Sequence, residues 1–209
     1  MSPRMGLDLP AILQAATEIA DQQGLENVSL AGLANKLDVR SPSLYNHVNG
    51  LPGLRKKMAV YGIGLLTADM RHAAVGRSGD EALRAIARAY VSFVRKHPGL
   101  YEATLRAPEA DDEDHRRESE SLIALVVRVL DVYEYQGEDV YYVVRCFRSM
   151  LHGFASLEQQ GGFGMPLGLD DTLELLIDAF LAGMRVLKQQ RVSGLTKPDA
   201  WSERAGDTR

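Results

Sequence analysis

The sequence predicts an all-α protein of nine helices and no strands, and two observations support this. Apolar residues recur along most of the chain at the three- and four-residue spacing of an amphipathic helix. Glycine, proline and capping Asp or Ser residues interrupt that pattern where helices would begin and end. The chain has 209 residues, 45% of them hydrophobic, and a net charge of −4, so it can bury a sizeable core and is not of the disordered class.

The first two helices carry start and stop signals. Asp8 is placed to cap helix one and Gly24 to end it. Helix two follows Ser29, whose hydroxyl can accept a hydrogen bond from a free backbone N–H. The apolar face of helix two is formed by Leu30, Leu33, Ala34 and Leu37. A break over residues 38–40 ends it.

Helix three has a polar outer face. Ser41 is predicted to cap it and Pro42 to occupy its first helical position, where a missing N–H has no cost. Only Leu44 and Val48 point inward. The other side carries Ser43, Asn46 and His47, with Tyr45 on the flank. Such a pair of helices forms a helix-turn-helix, whose second helix enters the major groove of DNA. On spacing alone, an ordinary helical hairpin is an equally good interpretation.

Residues 8–61 resemble the DNA-binding domain of TetR-family transcriptional regulators. The resemblance rests on the segments SLAGLANKLDV, SPSLYNHV and LPGLRKKMAVY. It implies a helix-turn-helix DNA-binding domain over residues 1–50 and an effector-binding and dimerisation domain over residues 51–192, in a nine-helix TetR-like fold. One departure is Leu51, which stands where the family often has a lysine near the DNA backbone.

Ten residues are expected to face double-stranded DNA. Asn46 can pair with adenine through two hydrogen bonds, and Ser43 and His47 can reach base edges. Basic residues around them would contact phosphates and make binding depend on salt, although a solvated helix face is the alternative. The full set is Arg40, Ser41, Pro42, Ser43, Tyr45, Asn46, His47, Arg55, Lys56 and Lys57.

Six further helices are predicted after the helix-turn-helix. Helix four covers residues 50–73, helix five follows Gly79 and ends at 97–99, helix six covers 100–106, helix seven begins within 107–114 and ends near 135, helix eight covers 138–160, and helix nine covers 170–190. Helix seven is apolar around most of its girth, which predicts that it is buried. We expect residues 193–209 to be a mobile tail and the arm of residues 1–7 to be frayed or, through Arg4, to touch a phosphate.

The acidic start of helix seven contains a possible metal cluster. It consists of Asp111, Asp112, Asp114 and His115. Acids at adjacent positions point in different directions on a helix, however, and carboxylates in a first turn are favoured by the helix dipole alone. We therefore predict no metal site and no cofactor.

Helices eight and nine each carry a second apolar stripe, which one small domain cannot bury against itself. Two such helices from each of two copies can form a four-helix bundle about a two-fold axis. The predicted interface consists of Cys146, Gly153, Leu157, Leu175, Ala179, Ala182, Gly183 and Val186. The pair His152-Gly153 also resembles a C-terminal subclass of the family that has a His-Gly pair in the penultimate helix.

Several aromatic residues at helical spacing predict an effector pocket between helix four and helices five to eight. The predicted lining is Tyr61, Leu65, Tyr90, Phe93, Tyr101, Tyr133, Met150 and His152. As a set, they suggest an apolar cavity with a few polar groups, although an ordinary core position is the favoured interpretation for each one alone.

Together these features predict a ligand-responsive transcriptional regulator that is not an enzyme. We expect a repressor: a homodimer that binds a palindromic operator and leaves it when a largely apolar small molecule binds. The alternative is a helical ligand-binding or interaction module with weak or no specific DNA binding, since residues 1–60 carry a net charge of only +1. With one cysteine, no signal peptide and no apolar run long enough for a bilayer, a cytoplasmic protein without membrane contact is expected.

Overall fold

The computed structural model describes residues 7–192, and this part of the chain contains nine α-helices and no strand. The all-α prediction is therefore confirmed. The helices are α1 Leu9–Gln23, α2 Leu30–Lys36, α3 Ser41–Leu44, α4 Gly50–Ala74, α5 Gly79–Lys96, α6 Pro98–Ala103, α7 Glu113–Leu130, α8 Asp139–Gln159 and α9 Leu169–Val192. The predictions for Arg4 and for residues 193–209 fall outside the described residues. No helix in the described part is long and apolar enough to cross a membrane.

The caps of the first two helices form as predicted, and the cap of the third lies one residue earlier. Asp8 accepts a hydrogen bond from the Ala11 N–H at 2.9 Å, and Ser29 accepts one from the Gly32 N–H at 3.1 Å. Ser41 is not the cap of α3, because the helix already includes it. The Arg40 carbonyl oxygen accepts the first N–H instead, which places proline at the second helical position of the first turn.

Helices α6 and α7 differ from their predicted limits. The first begins at Pro98 rather than at residue 100, and ends at Ala103. Residues 104–112 form an irregular segment that contains Pro108, which disfavours a helix at its own position and at the one before it. The end of α7 lies at Leu130, followed by a single 3₁₀ turn over Asp131–Tyr133.

The prediction that α7 is buried was wrong. Only His115, Val126 and Leu130 are buried along it, and Ile123 is 39% exposed. The reason is that α7 packs mainly on one side, against α4, so the additional apolar residues of its wide stripe are only partly covered.

The long helix α4 is the centre of the fold. It packs most extensively against α5 and α7, and it also contacts α1 and α6. Its buried residues include Leu54, Met58, Leu66 and Met70. The first three helices form their own small core around Ile12, Leu33 and Leu44. Helix α4 therefore connects the helix-turn-helix to the rest of the core.

A second junction joins α1 to the start of α6. Both the Gly99 and Leu100 N–H groups donate hydrogen bonds of 3.0 Å to Asp21 Oδ1, and His97 Nδ1 lies 2.8 Å from Asp21 Oδ2. A carboxylate from α1 thus occupies the N-terminus of α6, where free N–H groups and the helix dipole favour an anion. The backbones also meet closely, because a Cβ atom at Gly99 would lie 2.1 Å from the Ala20 carbonyl oxygen.

Replacing Gly99 by alanine should therefore destabilise the protein. The added methyl group cannot fit against a backbone oxygen, so α6 must move away from α1, with a cost of about 1–3 kcal/mol in the free energy of unfolding. Chemical denaturation of the purified variant would measure it. The control is Gly164→Ala, because an added Cβ there meets nothing within 4 Å. Equal stability of the two variants would contradict the close approach.

Candidate nucleic-acid interface and ligand cavity

The α3 segment has one polar, accessible side and one buried, apolar side. Leu44 is 0% exposed and Val48 is 1% exposed, and they hold the segment against the small core of the first three helices. The chain continues as a turn after Leu44, whose carbonyl oxygen accepts N–H groups from His47 at 2.9 Å and from Val48 at 3.0 Å. On the other side, Tyr45 is 59% exposed and Asn46 is exposed.

All seven predicted contact residues between positions 40 and 47 lie in this segment with at least part of their surface accessible. They are Arg40, Ser41, Pro42, Ser43, Tyr45, Asn46 and His47. The structure therefore brings them together on one short segment. Hydroxyl, amide and imidazole groups in such an arrangement can exchange hydrogen bonds with base edges and phosphates.

The three basic residues near the start of α4 differ in how freely they could contact DNA. Arg55 points back into the protein, where its Nη2 atom lies 3.5 Å from the Leu25 carbonyl oxygen and its Nε atom is buried. Lys56 forms a 2.6 Å ion pair with Glu109, and this hydrogen bond raises the pKa of Lys56. Lys57 is partly buried. Arg55 and Lys56 are therefore held by contacts within the chain, Lys56 by the acidic segment before α7.

An apolar cavity of about 310 Å³ lies between α4, α5, α7, α8 and the segment after α6. Its apolar wall is formed by Ile63, Leu66, Met70, Leu122, Ile123, Val126, Val144, Phe147 and Leu151. Two larger clefts, of about 560 and 420 Å³, lie near the start of α4, but a larger share of the wall of each is polar. The smaller cavity is the better candidate for an apolar ligand, because apolar walls with few polar groups are typical of small-molecule sites.

Tyr90 and Tyr101 contribute two hydroxyl groups to the cavity wall. Their hydroxyl groups are 2.5 Å apart, and the Tyr101 hydroxyl lies 2.7 Å from His152 Nδ1. Burial raises the pKa of both phenols above the ordinary tyrosine value, and the neighbouring Tyr90 hydroxyl adds to the effect on Tyr101. The two groups therefore stay neutral and act as hydrogen-bond donors or acceptors rather than as charges.

Only these two of the eight predicted pocket residues line the cavity. Tyr61 lies in the cleft next to α1. Phe93 is buried beside His97. His152 borders another cleft and reaches the cavity only through Tyr101.

Leu65, Met150 and Tyr133 do not line the cavity either. The first two are partly buried, and the Tyr133 hydroxyl donates a hydrogen bond to Asp80. The eight predicted residues therefore do not converge on one cavity. Helix α4 turns the face of Ile63 and Leu66 towards the cavity, and helical spacing alone cannot select one face over the next.

The charged residues of the cavity, and its lining by the segment after α6, were not predicted from the sequence. Arg106, Arg116, Glu120 and Arg148 line it, as do Ala107 and Pro108. A cation within the otherwise apolar face of a helix would have been the signal for Arg148, whereas nothing in the sequence pattern marks Arg106.

The second stripes of α8 and α9 are exposed in the single chain. Leu157 is 51% exposed, Leu175 69% and Val186 51%. Cys146, Ala179 and Ala182 are exposed as well, and Gly153 and Gly183 are half-buried. The two stripes form an apolar surface that nothing in the described chain covers. Within the described residues, no group of three His, Cys, Asp or Glu side chains could hold a metal ion.

A helix-turn-helix joined to a larger helical domain with an internal cavity is the architecture of a ligand-binding transcriptional regulator. Residues 83–180 match the family model described as the tetracyclin repressor-like C-terminal domain. The chain is 40% identical over 187 residues to the uncharacterized HTH-type transcriptional regulator YobS of Bacillus subtilis, covering 89% of this chain and 97% of that protein. The chain belongs to the TetR family of transcriptional regulators.

Solved structures share the fold. A protein of unknown function from Rhodococcus sp. RHA1 superposes with a TM-score of 0.74 at 23% identity, covering 88% of this chain and 98% of that chain. A TetR variant from Acinetobacter baumannii AYE, crystallised with minocycline, superposes with a TM-score of 0.68 at 16% identity, covering 87% and 98%. At these identities the likeness concerns the fold alone.

The buried phenols should make stability depend on alkaline pH. Tyr90 and Tyr101 hold their protons more tightly in the folded state, so their stabilising effect is complete below the unfolded tyrosine pKa of about 10 and is lost as pH rises above it. Tyr101→Phe should lower stability at pH 7 but flatten its decline between about pH 9 and 11. Thermal unfolding across this range tests the prediction. Tyr141→Phe, which removes an exposed hydroxyl, is the control and should leave the decline unchanged.

Proposed function

We propose that the protein is a repressor that binds a palindromic operator in double-stranded DNA as a homodimer and leaves it when a small molecule enters the apolar cavity. DNA binding belongs to residues 1–50, and ligand binding and dimerisation belong to residues 51–192. The observation that carries the proposal is the polar α3 surface, which two fully buried side chains, Leu44 and Val48, hold in place. Membership of the family and the repressor-like C-terminal match support the direction of regulation.

The ten predicted residues, from Arg40 to His47 without Leu44 and then Arg55, Lys56 and Lys57, are proposed to contact DNA. The first seven would enter or border the major groove. For Arg55 and Lys56 the contact requires release from Leu25 and Glu109. Because each phosphate contact contributes to the salt dependence of binding, these two would contribute less than two free lysines.

The homodimer follows from the uncovered surface of α8 and α9. Pairing this surface about a two-fold axis buries Leu157, Leu175 and Val186 in a four-helix bundle. Gly153 and Gly183 allow the helices to approach closely, since an added Cβ at either position meets nothing within 4 Å in the single chain. This pairing places the two α3 segments on the same side of the dimer, where they can contact DNA half-sites about 34–36 Å apart.

The segment after α6 provides a route from the cavity to the helix-turn-helix. Arg106 and Ala107 line both the apolar cavity and the cleft at the start of α4. Glu109, two residues after Ala107, accepts a hydrogen bond from Lys56. A ligand that moves this segment therefore also moves the start of α4 and alters the spacing of the two α3 segments. A preference of about 1–3 kcal/mol for the moved state weakens DNA binding about 5–150-fold.

The decisive experiment measures binding of the full chain to a DNA fragment from upstream of its own gene, by fluorescence anisotropy at moderate salt. Specific binding over an unrelated fragment supports the proposal. Equal binding to both fragments, or none, would favour the second candidate, a helical ligand-binding module without specific DNA recognition, which the near-neutral charge of residues 1–60 allows.

Substitutions on α3 should separate specificity from affinity. Asn46→Ala and His47→Ala should each weaken operator binding by about 1–3 kcal/mol and relax specificity, because each removes a base-edge contact. Tyr45→Phe should weaken binding to operator and non-operator DNA by the same factor, because it removes a phosphate contact. The control is Gln14→Ala on the exposed side of α1. Operator affinity unchanged in all three α3 variants would place the DNA surface elsewhere.

A charge in the α8–α9 surface should break the dimer. Ala182→Glu and Gly183→Glu place a carboxylate where two apolar helices meet, so the variant should be monomeric and bind the operator weakly. Light scattering measures the assembly. Asp178→Glu, on the same helix, is the matched control because it keeps the existing charge. Two glutamate variants that remain dimeric would show that the interface lies elsewhere.

A further inference from the structure

The wall of the cavity carries more positive than negative charge, although the protein is acidic. Three arginines, Arg106, Arg116 and Arg148, line it against a single acid, Glu120, whereas the whole chain has a net charge of −4. The rest of the wall is apolar apart from Thr104, Ser119 and the two tyrosines. A ligand in this site therefore meets apolar side chains over most of its surface and exposed arginines at the edge of the wall.

Two of the three arginines have no carboxylate partner in the part of the chain that the structure describes. Arg116 is neutralised by Glu113 and Glu120 of its own helix. By contrast, no carboxylate among the described residues forms an ion pair with Arg106 or Arg148. Arginines of α5, by comparison, are paired: Arg88 with Glu174 and Arg95 with Glu158.

Two tyrosines lie in the same cavity wall as Arg148. Arg148 lines the same cavity as Tyr90, and its positive charge opposes the effect of burial on the pKa of that phenol. Tyr90 is bonded in turn to Tyr101, and Tyr101 to His152. Because both phenols remain neutral, they offer hydrogen bonds without repelling an anion. A negative group at Arg148 would thus sit at the end of a connected polar chain.

We propose that the ligand of this cavity has an apolar body and a single anionic group, bound by Arg148 and Arg106 beside the Tyr90 hydroxyl. A guanidinium binds a carboxylate or phosphate through two parallel hydrogen bonds, which makes arginine the suitable residue for this task. The cavity volume of about 310 Å³ is at the lower end of ligand sites, which fits one small apolar body. The inference rests on the proposed function of the cavity as the effector site.

The test compares two probes of equal shape, decanoate and decanamide, by titration calorimetry with the full chain. The carboxylate should bind at least about tenfold more tightly than the neutral amide, because only the carboxylate forms charge-assisted hydrogen bonds with the arginines. Arg148→Ala should remove most of that difference, and Arg148→Lys should restore part of it. The control is Arg128→Ala on α7, which removes an exposed arginine that does not line the cavity.

The outcomes separate the ligand class from the effector role. Equal affinity for both probes, unaffected by Arg148→Ala, would overturn the anionic ligand but leave the cavity as an effector site. Binding of neither probe would also overturn it. If decanoate binds through Arg148 but does not release a DNA fragment that the protein binds specifically, the ligand class holds and the effector role fails.

Discussion

The contact between Asp21 and the N-terminus of α6 is the constraint on which the rest of the arrangement depends. Asp21 belongs to α1, and by accepting the Gly99 and Leu100 N–H groups it fixes the start of a six-residue helix on the first helical domain. The next residue of that helix, Tyr101, lines the cavity and bonds to α5 and α8. One short helix therefore touches both the domain that carries α3 and the proposed effector site. A shift of α6 cannot affect one of them without affecting the other.

Charge is distributed so that α4 has few free cations at its start. The acidic segment before α7 holds Lys56 through Glu109, and Arg55 is turned towards Leu25. A single chain with a net charge of +1 over residues 1–60 has weak electrostatic attraction for DNA. Because this attraction is weak, the proposed operator binding depends more on hydrogen bonds from α3 and on two copies binding together than on phosphate contacts alone.

Helices α8 and α9 serve two packing requirements at once. One stripe of each completes the core, where Phe147, Leu151 and Ile177 are almost fully buried. The other stripe stays exposed although Leu175 and Leu157 are large apolar residues. An exposed apolar surface of this kind lowers solubility and does not stabilise the single chain. Its presence on two adjacent helices therefore supports the proposed homodimer, which would bury it.

The sequence by itself determined the features that depend on neighbouring residues. These are the all-α class, the caps at Asp8 and Ser29, the end of α1 at Gly24, and the inward direction of Leu44 and Val48. Tertiary structure alone decided the start of α6, the pairing of Lys56 and the face that α4 turns to the cavity. The partners in these cases lie far apart in the chain: Asp21 from Gly99, and Lys56 from Glu109. Helical periodicity describes which residues share a face, but it contains no information about which distant element that face will meet.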